Sequence, residues 1–219
     1  MANLIDIRRR IRSVKNTQQI TKAMKMVAAA RLRRSQDRIL ATRPYALEIR
    51  KVIGNLAARV ASADAESAPH PLLATRPEKR VLLVVVTGDK GLAGSFNASV
   101  LRRAGEVLAG ARRAGAEVDL LLLGKKGIDF YRRRGLPVRK GYSALFTNVT
   151  YAQAQEIADD IAAAYSDGTY DSVRVVYNQF KSMIAQELTE ETLLPLQAGT
   201  AAEAGGVTRP YLLDRKSVV

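Results

Sequence analysis

Residues 81–97 read VLLVVVTGDKGLAGSFN. Six apolar residues rich in Val and Leu predict a buried strand, and the glycines at 88, 91 and 94 predict a tight turn. Ser95 or Asn97 then stands near the start of a helix predicted to run to Arg113. A strand passing through a glycine turn into a helix is where many proteins hold phosphate, so the stretch reads as a nucleotide site or as a structural corner. The spacing argues for the corner. Neither Gly88 nor Gly91 begins a G-x-x-x-x-G-K-[ST] loop, and G-x-x-G-x-x-G is not the dinucleotide pattern G-x-G-x-x-G. Gly88, Gly91 and Gly94 are therefore read as a structural turn, glycine supplying φ > 0 or close backbone approach.

Downstream the pattern keeps alternating. Glu117–Leu123 reads as a second buried strand and Lys125–Arg134 as a short helix. Leu136–Lys140 reads as an edge strand, followed by a helix starting at Asn148 or Thr150 and closing at Asp167-Gly168. Ser172–Gln179 is a further strand, and Ile184–Leu196 holds another extended stretch. The second strand lacks an acid at its end for a ribose, and Gly124-Lys125-Lys126 lacks a hydroxyl residue for magnesium. Strands alternating with helices predict an α/β class, Rossmann-like, with a mostly parallel sheet.

Upstream lies a different composition. From Asn3 to about Val60 there is no glycine before Gly54, Pro44 is the only proline, and good helix formers dominate. Leu4, Ile7, Ile11, Val14, Ala28, Leu32 and Ile39 fall on one narrow seam, which turns polar at Gln18, Thr21 and Lys25. The predicted helix, roughly 80–85 Å if continuous, is too long to lie on a domain of this size, so it must project and pair. Pro44 is expected to kink it or to end a first segment. Of the net charge of +14, residues 1–60 carry +12, from 15 Lys/Arg against Asp6, Asp37 and Glu48. An acidic partner follows: nucleic acid, a membrane surface or an acidic protein surface. Tyr45 is the only aromatic there and the cations ring the helix, which gives base stacking little support. A solvated charged face and a shaft inside an acidic collar remain as readings. Residues 61–79, with three prolines, read as a linker.

Several chemistries are excluded by composition. There is no Cys and one His, His70, expected as an exposed loop residue, so thiol, Ser-His-Asp and His-pair metal chemistry have no residues to use. Asp159-Asp160 on a helix and Glu190-Glu191 on a strand point apart and make no catalytic pair. No catalytic, cofactor-binding or metal-binding residue is expected. No apolar run reaches the ~20 residues of a membrane span, and the N-terminus lacks a signal-peptide core. The expectation is a cytoplasmic chain, with work beside a membrane left open.

Three stretches carry a resemblance. IRRRIRSVKNTQQITKAMKMVAAARLRRSQ (7–36), TGDKGLAGSFN (87–97) and YNQFKSMIAQELTEETLLPL (177–196) resemble, in order, the gamma subunit of F-type ATP synthases, over about residues 1–213. The resemblance implies a central rotor stalk without an active site or cofactor. Its N-terminal helix would pair with a long C-terminal helix inside a ring of three alpha and three beta subunits. The α/β domain would contact the epsilon subunit and the c-ring, at the cytoplasmic face of the bacterial inner membrane. Met24, Lys25, Arg33 and Arg34 would face the acidic lever segment of beta. The implied division is a rotor helix (1–60), linker (61–79), α/β domain (80–197) and the start of a connection (198–213). The family's C-terminal helix is expected after Tyr211, yet the chain ends PYLLDRKSVV. Residues 214–219 do not resemble the family and read like a translated sequencing adapter, so a truncated gene with an artefactual tail is expected.

Overall fold

The computed structural model describes residues 3–62, 70–147, 149–182 and 185–196. The chain divides into two compact units, residues 1–53 and 54–219, each taken by itself.

From Leu4 on, the first unit is helical, part of α1, Leu4–Ser62. At 1.5 Å per residue its 59 residues span about 88 Å. Pro44 does not end it. A proline costs one backbone hydrogen bond and crowds the preceding turn, but strong helix formers on both sides carry the pattern through. Leu4, Ile7, Ile11 and Val14, the apolar start of the seam, are all exposed.

The second unit holds a five-stranded sheet: β1 (Arg80–Val86), β2 (Glu117–Leu123), β3 (Val138–Tyr142), β4 (Ser172–Phe180) and β5 (Gln186–Leu194). The order is β3-β2-β1-β4-β5. The β1–β2, β1–β4 and β2–β3 pairs are parallel, and β4–β5 is antiparallel. Between the strands run α2 (Phe96–Arg113), α3 (Lys125–Arg132) and α4 (Tyr151–Ser166). Alternation along β1 builds two cores from one strand. Val81, Leu83 and Val85 pack with Val100, Ala104 and Tyr131 of α2 and α3. Leu82 and Val84 face Ile157, Ile161 and Tyr165 of α4. β1 therefore reads as a continuous apolar run because both of its faces are covered.

Local sequence sets the ends. Thr150 caps α4 in a capping box: its hydroxyl accepts from Gln153 N–H, and the Gln153 side chain accepts from Thr150 N–H. β2 occupies the predicted residues Glu117–Leu123. β3 lies two residues later than expected, and α3 stops at Arg132. Exposed His70 caps the short 3-10 turn Pro71–Leu73, its Nδ1 accepting from Leu72 N–H at 3.3 Å. Residues 198–219, which hold the expected connection and tail, lie outside the described residues.

Candidate functional site

The corner after β1 is closed by the chain's own groups. Gly88 N–H donates to Asn97 Oδ1 at 2.8 Å, and Asn97 Nδ2 donates to the Lys90 carbonyl at 3.4 Å. Asn97 thus spans the turn; Ser95 precedes α2 but makes no side-chain cap. Asp89 reaches across to the N-terminus of α3. Its Oδ1 accepts from the N–H of Lys125, the first residue of α3, at 2.9 Å and from Ala144 N–H at 3.1 Å. Oδ2 accepts from Phe146 N–H at 3.3 Å. A carboxylate at a helix N-terminus meets both the free N–H groups and the positive end of the dipole. The N–H groups of Lys125, Ala144 and Phe146 are thereby engaged at the start of α3.

The three glycines divide unequally. Gly94 has φ +55°, a conformation L side chains rarely adopt. A Cβ on Gly88 would stand 3.3 Å from Asn97 Oδ1, whereas one on Gly91 would make only ordinary contact with Lys126. Gly91 is therefore not required by backbone angle or by space, which corrects the expectation for that position. Leu92, almost fully exposed, takes the left-handed φ of 60° instead.

The tightest approach lies at the end of β2. Gly124 has φ +102°, and a Cβ there would fall 2.0 Å from the Thr87 carbonyl oxygen. Thr87, buried, receives Gly127 N–H on its hydroxyl at 2.8 Å, and its own N–H donates to the Leu123 carbonyl at 2.7 Å. A glycine immediately after four leucines was the available sequence signal for this contact.

The carboxylate pairs do structural work. Asp160 pairs with Arg139 at 2.9 Å, while Glu190 reaches Arg103 at 2.9 Å and Arg174 at 3.8 Å. Glu191 meets the Tyr177 hydroxyl, across from Glu190 on the strand. Glu78 is held below the usual carboxylate range by its hydrogen bond to Arg174. Among the described residues no group of three or more His, Asp and Glu is placed to hold a metal, and no helix is long and apolar enough to cross a membrane.

On α1, Met24, Lys25, Arg33 and Arg34 are exposed. A separation of nine residues at about 100° per residue sets Met24 opposite Arg33 and Lys25 opposite Arg34. They ring the helix over nearly three turns instead of forming one patch.

The comparisons agree on a family. The ATP synthase family model matches residues 3–217. The chain is 50% identical over 197 residues to the ATP synthase gamma chain of Solibacter usitatus, covering 90% of this chain and 68% of that one. The chain belongs to the ATP synthase gamma family. To the gamma chain of Chlorobium luteolum it is 43% identical, covering 94% of this chain and 71% of the relative. Among solved structures it is similar to the Tetrahymena thermophila mitochondrial ATP synthase central stalk and c-ring, with a TM-score of 0.63 and 31% identity. That match covers 80% of this chain and 72% of the other. A Euglena gracilis mitochondrial ATP synthase chain shares the fold at a TM-score of 0.57 and 19% identity, over 85% of this chain and 55% of that one. As a gamma-family member the chain is a stalk subunit of the membrane-associated synthase, non-catalytic by family.

Proposed function

We propose that this gamma-family chain is the rotor of the central stalk, turning inside a ring of three alpha and three beta subunits and coupling ion flow to ATP chemistry. One observation carries the reading: a 59-residue helix keeps its apolar seam exposed and sits in a segment of net charge +12, in a chain with gamma-chain relatives. An exposed seam calls for a partner helix, and a ring of cations calls for an acidic sleeve. Charge attraction without a fixed apolar lock permits contacts to be remade as the shaft turns. Met24, Lys25, Arg33 and Arg34, pointing in several directions at once, suit a shaft that meets different subunits on different sides. The division into rotor helix (1–60), linker (61–79) and α/β domain (80–197) goes with this reading.

Synthesis and hydrolysis of ATP then belong to the beta subunits and their interfaces with alpha. The α/β unit meets the epsilon subunit and the c-ring, at the cytoplasmic face of the bacterial inner membrane. The Gly88–Gly94 turn, which lacks both nucleotide-loop spacings, supports a non-catalytic role. Co-expression with alpha and beta subunits tests the proposal. A stoichiometric complex is expected, weakened by high salt and by Lys25→Glu. Failure to co-purify at low salt, with the α/β unit folded, would contradict it. So would micromolar ATP binding by the isolated chain.

A further inference from the structure

The stretch that leads into β1 is tied down more heavily than a spacer requires. Arg76 Nη1 donates to the Tyr165 carbonyl at 2.9 Å and to the Tyr170 carbonyl at 3.5 Å, with its guanidinium 5.1 Å from the Tyr165 ring centre. Tyr165, fully buried at the end of α4, answers with its hydroxyl, which donates to the Ala74 carbonyl at 2.6 Å. The Asp171 carboxylate accepts from the N–H groups of Lys79 and Arg80 at 3.0 and 2.9 Å. The chain's path out of β5 arrives at the same place. Leu196 N–H donates to the Leu72 carbonyl at 2.9 Å, and both side chains pack on the core beneath α4.

The segments by which the chain enters and leaves the sheet are thus bonded to each other and to the α4–β4 corner. A connection held only by its peptide bonds swivels about each φ and ψ. Two segments tied together and clamped to a packed helix end cannot swivel separately. The Tyr165 carbonyl also accepts from Gly168 N–H at 3.1 Å at the end of α4, and Arg76 adds a charged donor to it, a stronger bond than a neutral one.

We propose that Arg76 and Tyr165 are positioning residues that lock this crossing into a torque-bearing joint between the α/β unit and the segments entering and leaving it. The inference rests on the rotor reading above. Arg76 and Tyr165 need touch no partner subunit for this; their task is to stop the domain from yielding when load arrives along the chain.

The test uses the assembled synthase carrying Arg76→Ala, Arg76→Lys or Tyr165→Phe, with two readouts. Hydrogen exchange at the Leu196 amide reports the tie, and ions pumped per ATP hydrolysed report the coupling. Arg76→Ala is expected to speed Leu196 exchange by about tenfold or more, since a charged hydrogen bond is lost. It should lower pumping per ATP while hydrolysis stays near wild type, with Arg76→Lys restoring part of both. Tyr165→Phe removes one hydroxyl from an otherwise intact core, so it should fold and show the same pattern more weakly. Faster exchange with unaltered coupling in these variants would overturn the joint, as would unaltered exchange. Failure of the wild-type chain to assemble with alpha and beta would instead overturn the rotor reading.

Discussion

In the α/β unit Leu82, Leu83, Leu120 and Leu122 are fully buried, while along α1 Leu4, Ile7, Ile11 and Val14 keep between 45% and 70% of their surface exposed. Both sets are aliphatic and both obey a strict period. The difference is in what the period faces. The strand pattern is satisfied within 120 residues of its own chain, by three helices that return to the sheet. The helical seam recurs every three or four residues along one straight element, which cannot fold back to cover itself. The α/β unit is self-sufficient, and the seam of α1 remains to be covered.

That contrast sets the order of expected effects. Gly124→Ala should be the most damaging single change, because a Cβ would collide with the Thr87 carbonyl at a φ only glycine tolerates well. A loss beyond ~4 kcal/mol, or failure to fold, is expected in urea denaturation of the α/β unit. A loss under ~1 kcal/mol would mean the corner can open, and Gly124 would lose its role. Next comes Leu83→Ala, expected to cost about 2–5 kcal/mol as a cavity in a packed core. Its counterpart Ile11→Ala should stay within ~0.5 kcal/mol in the isolated chain, yet weaken assembly. Equal losses at the two positions in the isolated chain would break the comparison outright.

Asp89→Asn removes the charge from an acceptor of three N–H groups and should cost about 1–3 kcal/mol. The smallest effect at neutral pH is at Tyr131. Burial pushes the Tyr131 hydroxyl up to about 12, and burial with the Asp119 hydrogen bond does the same for Tyr170. Both folded values lie above the ordinary 10.0, so their contribution is full below pH 10 and is lost as pH rises toward 12. Tyr131→Phe and Tyr170→Phe should each flatten the alkaline limb of a stability-against-pH curve. Among the described residues the Tyr131 hydroxyl has no hydrogen-bond partner, so Tyr131→Phe should cost almost nothing at pH 7. A wild-type curve that stays level from pH 9 to 12 would refute both assignments.

The elements of the α/β unit were legible because each carries its own signal. Four leucines after Val118 and Asp119 define β2, and Thr150 with Gln153 announces α4. α1 was legible in type and extent, but not in its passage through Pro44. There the cost of one proline was outweighed by the propensity of its neighbours. The site was harder to read. Asp89 looks like any turn aspartate, and its N–H partners come from 36 and more residues downstream, at Lys125, Ala144 and Phe146. Gly88, Gly91 and Gly94 drew attention by their spacing, while the glycine under the tightest constraint is Gly124, at the end of β2. Sequence spacing reports local conformation well. It reports poorly on what another strand's end brings within reach.

The Asp89 carboxylate also has a consequence for competition. It is tethered to the amides it occupies, so it competes at an effective concentration of millimolar order or above whatever the dilution of the chain. An anion arriving from solution at the start of α3 must displace a resident that cannot diffuse away. A stalk subunit working beside catalytic subunits meets ATP, ADP and phosphate continually, and a corner that retained any of them would carry a fluctuating charge. Asp89 makes the start of α3 a receptor whose ligand is covalently supplied.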